Sequence, residues 1–210
     1  MNKLVIASNN QGKLREIQAL LTLLNIEVLP QASLNISEAD EPHFTFIENA
    51  LAKARHASLH SGLAALADDS GLCVEGLQGR PGVYSARFAD MINPDGCAET
   101  NADKINRDEK NNLALLSALA GQSNRSAYYY CALVLVRRHD DPQPIIAEGI
   151  WSGEILTAPR GSNGFGYDPL FLDLSHHKTG AELSPDIKNK ISHRGQALQQ
   201  LMIKIKALKV

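Results

Sequence analysis

The sequence predicts an α/β fold. A strand–loop–helix–strand unit opens the chain, strand and helix patterns go on alternating to its end, and no internal repeat or flexible linker interrupts them. With 210 residues, 44% hydrophobic and 21% charged, one continuous α/β domain over residues 1–210 has ample apolar material for a core.

The elements follow in order. Residues 4–7, Leu-Val-Ile-Ala, form a short buried strand that stops at the turn formers Ser8-Asn9-Asn10-Gln11-Gly12. A helix starts near Lys13, with Leu14, Ile17, Leu21 and Leu24 on one face, and residues 26–29 return as a strand before Pro30. Residues 31–44 are irregular and acidic. Thr45-Phe46-Ile47-Glu48 is a capping box opening a helix to about His60, with Ile47, Leu51, Ala54 and Ser58 inward and Gly62 at its end. Residues 63–67 form a strand that Asp68-Asp69-Ser70-Gly71 breaks and residues 72–74 resume. Glycines and a proline mark a loop over 76–82, and the polar stretch 90–108 reads as a surface insertion. A helix over 108–120 stops at Gly121, and residues 128–137 and 145–155 flank Asp140-Asp141-Pro142 as a hairpin. A Gly-rich loop spans 160–169. Ser184-Pro185 starts a short helix, and a last helix after Ser192 carries Leu198, Leu201, Met202, Ile205 and Leu208 on its apolar stripe.

Composition removes several function classes. Aromatic residues are 5% of the chain, the formal charge is -2 and no long basic run occurs, which disfavours polynucleotide binding. A small phosphorylated ligand needs only a few cations and stays open. Cys73, Cys97 and Cys131 are widely spaced with no C-x-x-C pair, so neither a zinc knuckle nor a disulfide framework is expected. The apolar start is too brief for a signal sequence, and no run approaches the roughly 18 residues of a membrane span. The expected location is the cytoplasm, away from membranes.

Five groups of residues carry polar chemistry. Ser8-Asn9-Asn10-Gln11-Gly12-Lys13 lies between a strand and a helix, where backbone amides bind anions and Lys13 adds a charge. Taken alone, a polar turn with Lys13 in solvent is the simpler account, and P-loop spacing is absent. Adjacent Asp68 and Asp69 repel each other and weaken a strand; a divalent cation explains them, and so does an Asx-type turn. Glu41 could offer a second carboxylate. Lys53, with Asn49 one turn earlier, fits a solvated helix face. In residues 161–169, Gly-Ser-Asn-Gly-Phe-Gly-Tyr-Asp-Pro, three glycines allow close backbone approach, Phe165 and Tyr167 offer planar surfaces and Asp168 an acceptor. Ser192-His193-Arg194-Gly195 heads the last helix, with Lys188 shortly before it, and such a cluster calls for something anionic or carbonyl-rich.

Taken together, these segments resemble the inosine/xanthosine triphosphate pyrophosphatase family. The matching stretches are Ser8–Lys13, Phe46-Ile47-Glu48-Asn49-Ala50, residues 67–72, residues 81–87, Phe165-Gly166-Tyr167-Asp168-Pro169 and residues 192–198, in family order. The resemblance implies an elongated mixed β-sheet with two α/β lobes around a nucleotide-binding cleft, assembled as a homodimer. It implies hydrolysis of ITP, dITP and XTP to the monophosphate and pyrophosphate with Mg2+. In that frame Ser8, Asn9, Asn10, Gln11, Gly12, Lys13 and Lys53 look like triphosphate ligands. Asp69 matches the catalytic acid/base that also serves the metal, Glu41 the other metal carboxylate, and Ser70 a substrate contact. Phe165, Gly166, Tyr167, Asp168, Lys188, His193 and Arg194 match the base pocket. Two departures stand out: Asn9 replaces a glycine of many relatives, and the 90–108 stretch is long. The competing readings are a pyrophosphatase for other modified nucleotides and a non-catalytic purine-nucleotide sensor. Asp69 argues against the sensor, since a carboxylate near a triphosphate needs a metal or a proton-transfer role to offset repulsion.

Overall fold

Apolar alternation along the first strand sets how the sheet is covered. In β1 (Lys3–Ile6), Leu4 and Ile6 enter one buried cluster and Val5 enters another, because successive strand residues point to opposite faces. The structure, a computed structural model, describes residues 3–21, 26–92 and 107–207. β2 (Glu27–Pro30) runs parallel to β1 with Lys3 opposite Glu27, and β3 (Ala65–Val74) runs parallel to β1 with Val5 opposite Ala65. The links between these strands hold α1 (Gln11–Leu21) and α2 (Phe46–Ser61).

Among the described residues the strand order is β2-β1-β3-β4-β5-β6-β7, completed by β4 (Ser126–Val136), β5 (Ile145–Ile155), β6 (Phe171–Asp173) and β7 (Lys178–Thr179). β5, β6 and β7 pair antiparallel. The fold is therefore mixed α/β. The remaining described α-helices are α3 (Phe88–Ile92), α4 (Arg107–Ala118), α5 (Pro185–Ile191) and α6 (His193–Ala207). None is long and apolar enough to cross a membrane.

The chain divides into two compact units, the first of residues 1–70, 130–150 and 189–210, the second of 71–129 and 151–188. In the first, Leu14, Ile17 and Leu21 of α1 and Ala197, Leu198, Leu201 and Ile205 of α6 pack on Leu4, Ile6, Leu66, Leu133 and Leu135. Ala50, Ala54 and Ala57 of α2 pack on Val5, Ala65, Ala67, Val134 and Val136 of the opposite face. Covering both faces explains why β1 and β4 read as continuous apolar runs. In the second unit Tyr129, Trp151 and Phe171 form an aromatic cluster, and the Trp151 indole N–H donates to Asp173 Oδ2 at 2.6 Å.

Several boundaries differ from the sequence reading for local reasons. α1 begins at Gln11 rather than Lys13, because Asn10 Oδ1 accepts the Lys13 amide at 3.0 Å and caps the helix. α2 keeps its cap, Thr45 Oγ1 taking the Glu48 amide at 3.2 Å, but Glu48 accepts the Thr45 hydroxyl at 2.6 Å. Gly62, at φ 70, ends it. β3 runs through Asp68-Asp69-Ser70-Gly71 without a break. β6 and β7, which the sequence reading missed, follow the Gly-rich loop. Leu24, Leu208 and residues 93–106 of the polar stretch lie outside the described residues.

Candidate active site

Asp68 and Asp69 are neighbours on β3, and the two-residue repeat of a strand turns them to opposite faces. Leu66 belongs to the cluster under α1 and α6, and Ala67 to the cluster under α2. Asp68 follows Leu66 and Asp69 follows Ala67.

On the Asp68 face, Lys13 Nζ lies 2.5 Å from Oδ1 and Arg194 Nε 2.8 Å from Oδ2. The Ser70 hydroxyl donates to Oδ1 at 2.8 Å and the Cys131 thiol to Oδ2 at 3.2 Å. Arg194 also pairs with Glu16 of α1, and its Nη2 donates to Ser70 Oγ at 2.9 Å. Burial opposes the Asp68 charge, but the Arg194 and Lys13 cations outweigh it and hold the carboxyl well below the usual carboxylate range. Burial pushes the Cys131 thiol well up, with the Asp68 charge acting in the same sense.

On the Asp69 face, Lys53 Nζ stands 2.7 Å from Asp69 Oδ1 and 2.7 Å from Glu41 Oε1. Asn49, one turn earlier in α2 and fully buried, donates to Asp69 Oδ2 at 3.5 Å. The same amide accepts the His43 N–H at 3.1 Å and donates to the His43 carbonyl at 3.2 Å, tying the Glu41 loop to the strand. Burial pushes the Asp69 carboxyl above its ordinary value, Lys53 and Lys13 pull it back and Glu41 adds to the rise. Burial also works against the Lys53 charge, yet Asp69 and Glu41 together raise its hold on the proton. Adjacent carboxyls driven in opposite directions are what acid–base chemistry uses: one stays a fixed anion while the other exchanges a proton. The solvated-face account of Lys53 and Asn49 is thus overturned.

The turn before α1 completes the first unit's polar corner. Ser8 Oγ accepts the Asn10 amide at 3.2 Å, and Gln31 Nε2 donates to Asn9 Oδ1 at 3.3 Å. Gln11 and Gly12 are the first residues of α1, where amides lack intrahelical partners and favour anions. His193 starts α6 and is buried.

The Gly-rich loop belongs to the second unit. Asp168 is buried, and its Oδ2 accepts the Phe165 amide at 2.9 Å and Lys188 Nζ at 2.5 Å. Lys188 Nζ also stands 5.1 Å from the centre of the half-buried Phe165 ring. Gly164 is required here: at φ 78, a Cβ would come 2.1 Å from Asp168 Oδ2. Tyr167 does not present the planar surface expected of it. Its ring is buried and its hydroxyl donates to the Ser85 carbonyl at 2.8 Å.

The expected residues thus gather in three groups. Lys13, Ser70 and Arg194 meet at Asp68; Glu41 and Lys53 meet at Asp69; Phe165, Asp168 and Lys188 meet in the loop. Arg194, expected with the base-pocket residues, has its guanidinium on Asp68, Glu16 and Ser70. Sequence reasoning missed Glu16 and the tethering role of Asn49. The only signal for either was helical spacing, Glu16 one turn after Lys13 and Asn49 one turn before Lys53.

Glu41 and Asp69 also fit a hard divalent cation, since both oxygens already converge on one positive charge, the Lys53 ammonium. Among the described residues no group of three or more His, Cys, Asp or Glu forms a metal cage. Two carboxylates leave the remaining positions to phosphate and water, the arrangement Mg2+ favours.

Comparison with known proteins follows the same lines. The model of the Ham1 family matches residues 4–204. The dITP/XTP pyrophosphatase of Nitrosomonas europaea is 58% identical over 202 residues, 96% of this chain and 93% of that protein. Its counterpart from Ralstonia nicotianae is 55% identical over 206 residues, 98% of each chain. A HAM1 protein from Coxiella burnetii superposes with a TM-score of 0.85 at 45% identity, over 99% of this chain and 100% of its own. The Ham1 protein of Staphylococcus aureus superposes at 0.81 with 34% identity, over 98% and 99%.

Proposed function

The chain belongs to the Ham1 family, and from that premise we propose that it hydrolyses dITP, ITP and XTP to the monophosphate and pyrophosphate. The observation that carries the proposal is the divided pair on β3: Asp68 ion-paired with Lys13 and Arg194 on one face, and Asp69 ion-paired on the other with Lys53, which also holds Glu41. Water attacks the α-phosphorus, the α–β anhydride bond breaks, and pyrophosphate leaves. Asp69 accepts the proton of the attacking water. Lys13, Lys53 and the first-turn amides of α1 meet the triphosphate. Glu41 and Asp69 would hold Mg2+, which when bound neutralises charge on the phosphate oxygens. Phe165 stacks on the purine. Lys188, 5.1 Å from the centre of the Phe165 ring, is the donor suited to a 6-keto oxygen, and it would face adenine's amino group unfavourably. The proposal extends to a cytoplasmic homodimer, an expectation supported by the sequence resemblance.

The test is pyrophosphate release from dITP, with dATP as the competitor and Mg2+ present or withheld. Asp69→Asn is expected to fold and bind dITP while losing at least about a hundredfold in kcat. Near-normal turnover by Asp69→Asn, or release of orthophosphate instead of pyrophosphate, would sink the proposal.

A further inference from the structure

The loop that carries Phe165 is gripped by a helix that the proposed chemistry leaves unused. Asp108 and Asn112 lie one turn apart on α4, so their side chains leave the same face. Asp108 Oδ2 accepts the Gly166 amide at 2.7 Å, and Asn112 Nδ2 donates to the Gly166 carbonyl at 3.0 Å. One helix thus holds both backbone groups of one residue, and with them the peptide planes on either side of it. Gly166 sits at φ 62, a conformation glycine enters and leaves freely, so the two-point grip fixes what the residue alone would not. Asp168 holds the Phe165 amide and Ser85 the Tyr167 hydroxyl, so the grip on Gly166 acts on the peptide between two anchored residues. A cavity of about 400 Å³ lies beside α4 and the loop, lined among others by Leu113, Leu116, Gly161 and Phe165.

We propose that Asp108 and Asn112 are positioning residues for base selection. They act through Gly166 to fix the orientation of Phe165, and touch no substrate themselves. The inference rests on the reading of Phe165 as the side chain that stacks on the purine.

Two measurements test it on the full-length protein: hydrogen exchange at the Gly166 amide, and kcat and KM for dITP and dATP. Asp108→Ala and Asn112→Ala are each expected to speed exchange at Gly166 about tenfold, the scale of one lost hydrogen bond. KM for dITP rises about tenfold while kcat moves less than about threefold, and the preference over dATP narrows. Asp108→Asn keeps a carbonyl oxygen for the Gly166 amide and recovers most of what Asp108→Ala loses. Unchanged exchange in both alanine variants would overturn the proposal, as would equal factors for both nucleotides in kcat and KM. If the alanine variants do not fold, Asn112→Asp and Asp108→Asn carry the test, the first expected to loosen Gly166 and the second to hold it. Failure of these two to fold would also overturn it, because the grip would then serve the fold. A wild-type protein that releases no pyrophosphate from dITP refutes the functional proposal only, and the exchange measurement still judges the grip.

Discussion

Replacing Asp68 by asparagine keeps the size of the side chain and removes one charge, leaving Lys13 and Arg194 to face an amide. Breaking one partner of a buried ion pair is strongly destabilising, so Asp68→Asn is expected to lose about 3–5 kcal/mol of folding stability near neutral pH. Because the folded carboxyl is held below its unfolded value, its contribution is full above the ordinary carboxylate range and is lost as pH falls through the folded value. Urea unfolding at about pH 7 and about pH 3 checks this: the gap between wild type and variant should narrow in acid. A gap that stays constant would mean that Asp68 is not the anion holding the two cations. At this scale the adjacent aspartates stood out in the sequence as a pair that strand stability does not explain, whereas Lys13 and Lys53 taken alone fit solvated positions and were singled out only by the family resemblance. The anchoring by Asp68 was not, since its partner Arg194 is 126 residues away and only the fold joins them. The buried tether of Asn49 was hidden likewise, as Asp69 and His43 come to it from separate segments.

At the scale of elements, cap chemistry was legible and short strands were not. Thr45 and Gly62 bounded α2 within a residue or so because a helix end is decided by its own few residues. β6 and β7, at three and two residues, are too short for any periodicity to register. β3 was read as interrupted because two adjacent aspartates repel. In the fold they point apart and each meets cations, Lys13 and Arg194 on one side and Lys53 on the other, so the strand continues. The placement of α6 depends on a close approach to β5. A Cβ at Gly149 would lie 2.0 Å from the His193 carbonyl and 2.7 Å from the Ala197 amide. Gly149→Ala must push the start of α6 away, at about 1–3 kcal/mol. Both the thermal midpoint and turnover should fall, since His193 and Arg194 move with the helix. A variant that melts and turns over like wild type would show that α6 yields at no cost.

For the whole molecule, the division into units follows space and not sequence. The chain passes from one unit to the other after residues 70, 129, 150 and 188. β3, β4 and β5 each begin in one and end in the other, so no single cut releases either unit as a continuous fragment. That interleaving was illegible in the sequence because no linker marks it. It also turns Cys131 into a clock. The thiol lies on β4 just past one of these passages, without solvent exposure and far from thiolate form at neutral pH. A thiol reagent can reach it only when the strand leaves the sheet, and a strand shared by both units has little freedom to leave alone. In a Cys73→Ser, Cys97→Ser background, Cys131 should be alkylated at least about a thousandfold more slowly than free cysteine, at a rate that tracks global unfolding as urea is added. Alkylation at the free-thiol rate, flat with urea, would reveal that β4 frays at its centre while the rest of the chain stays folded.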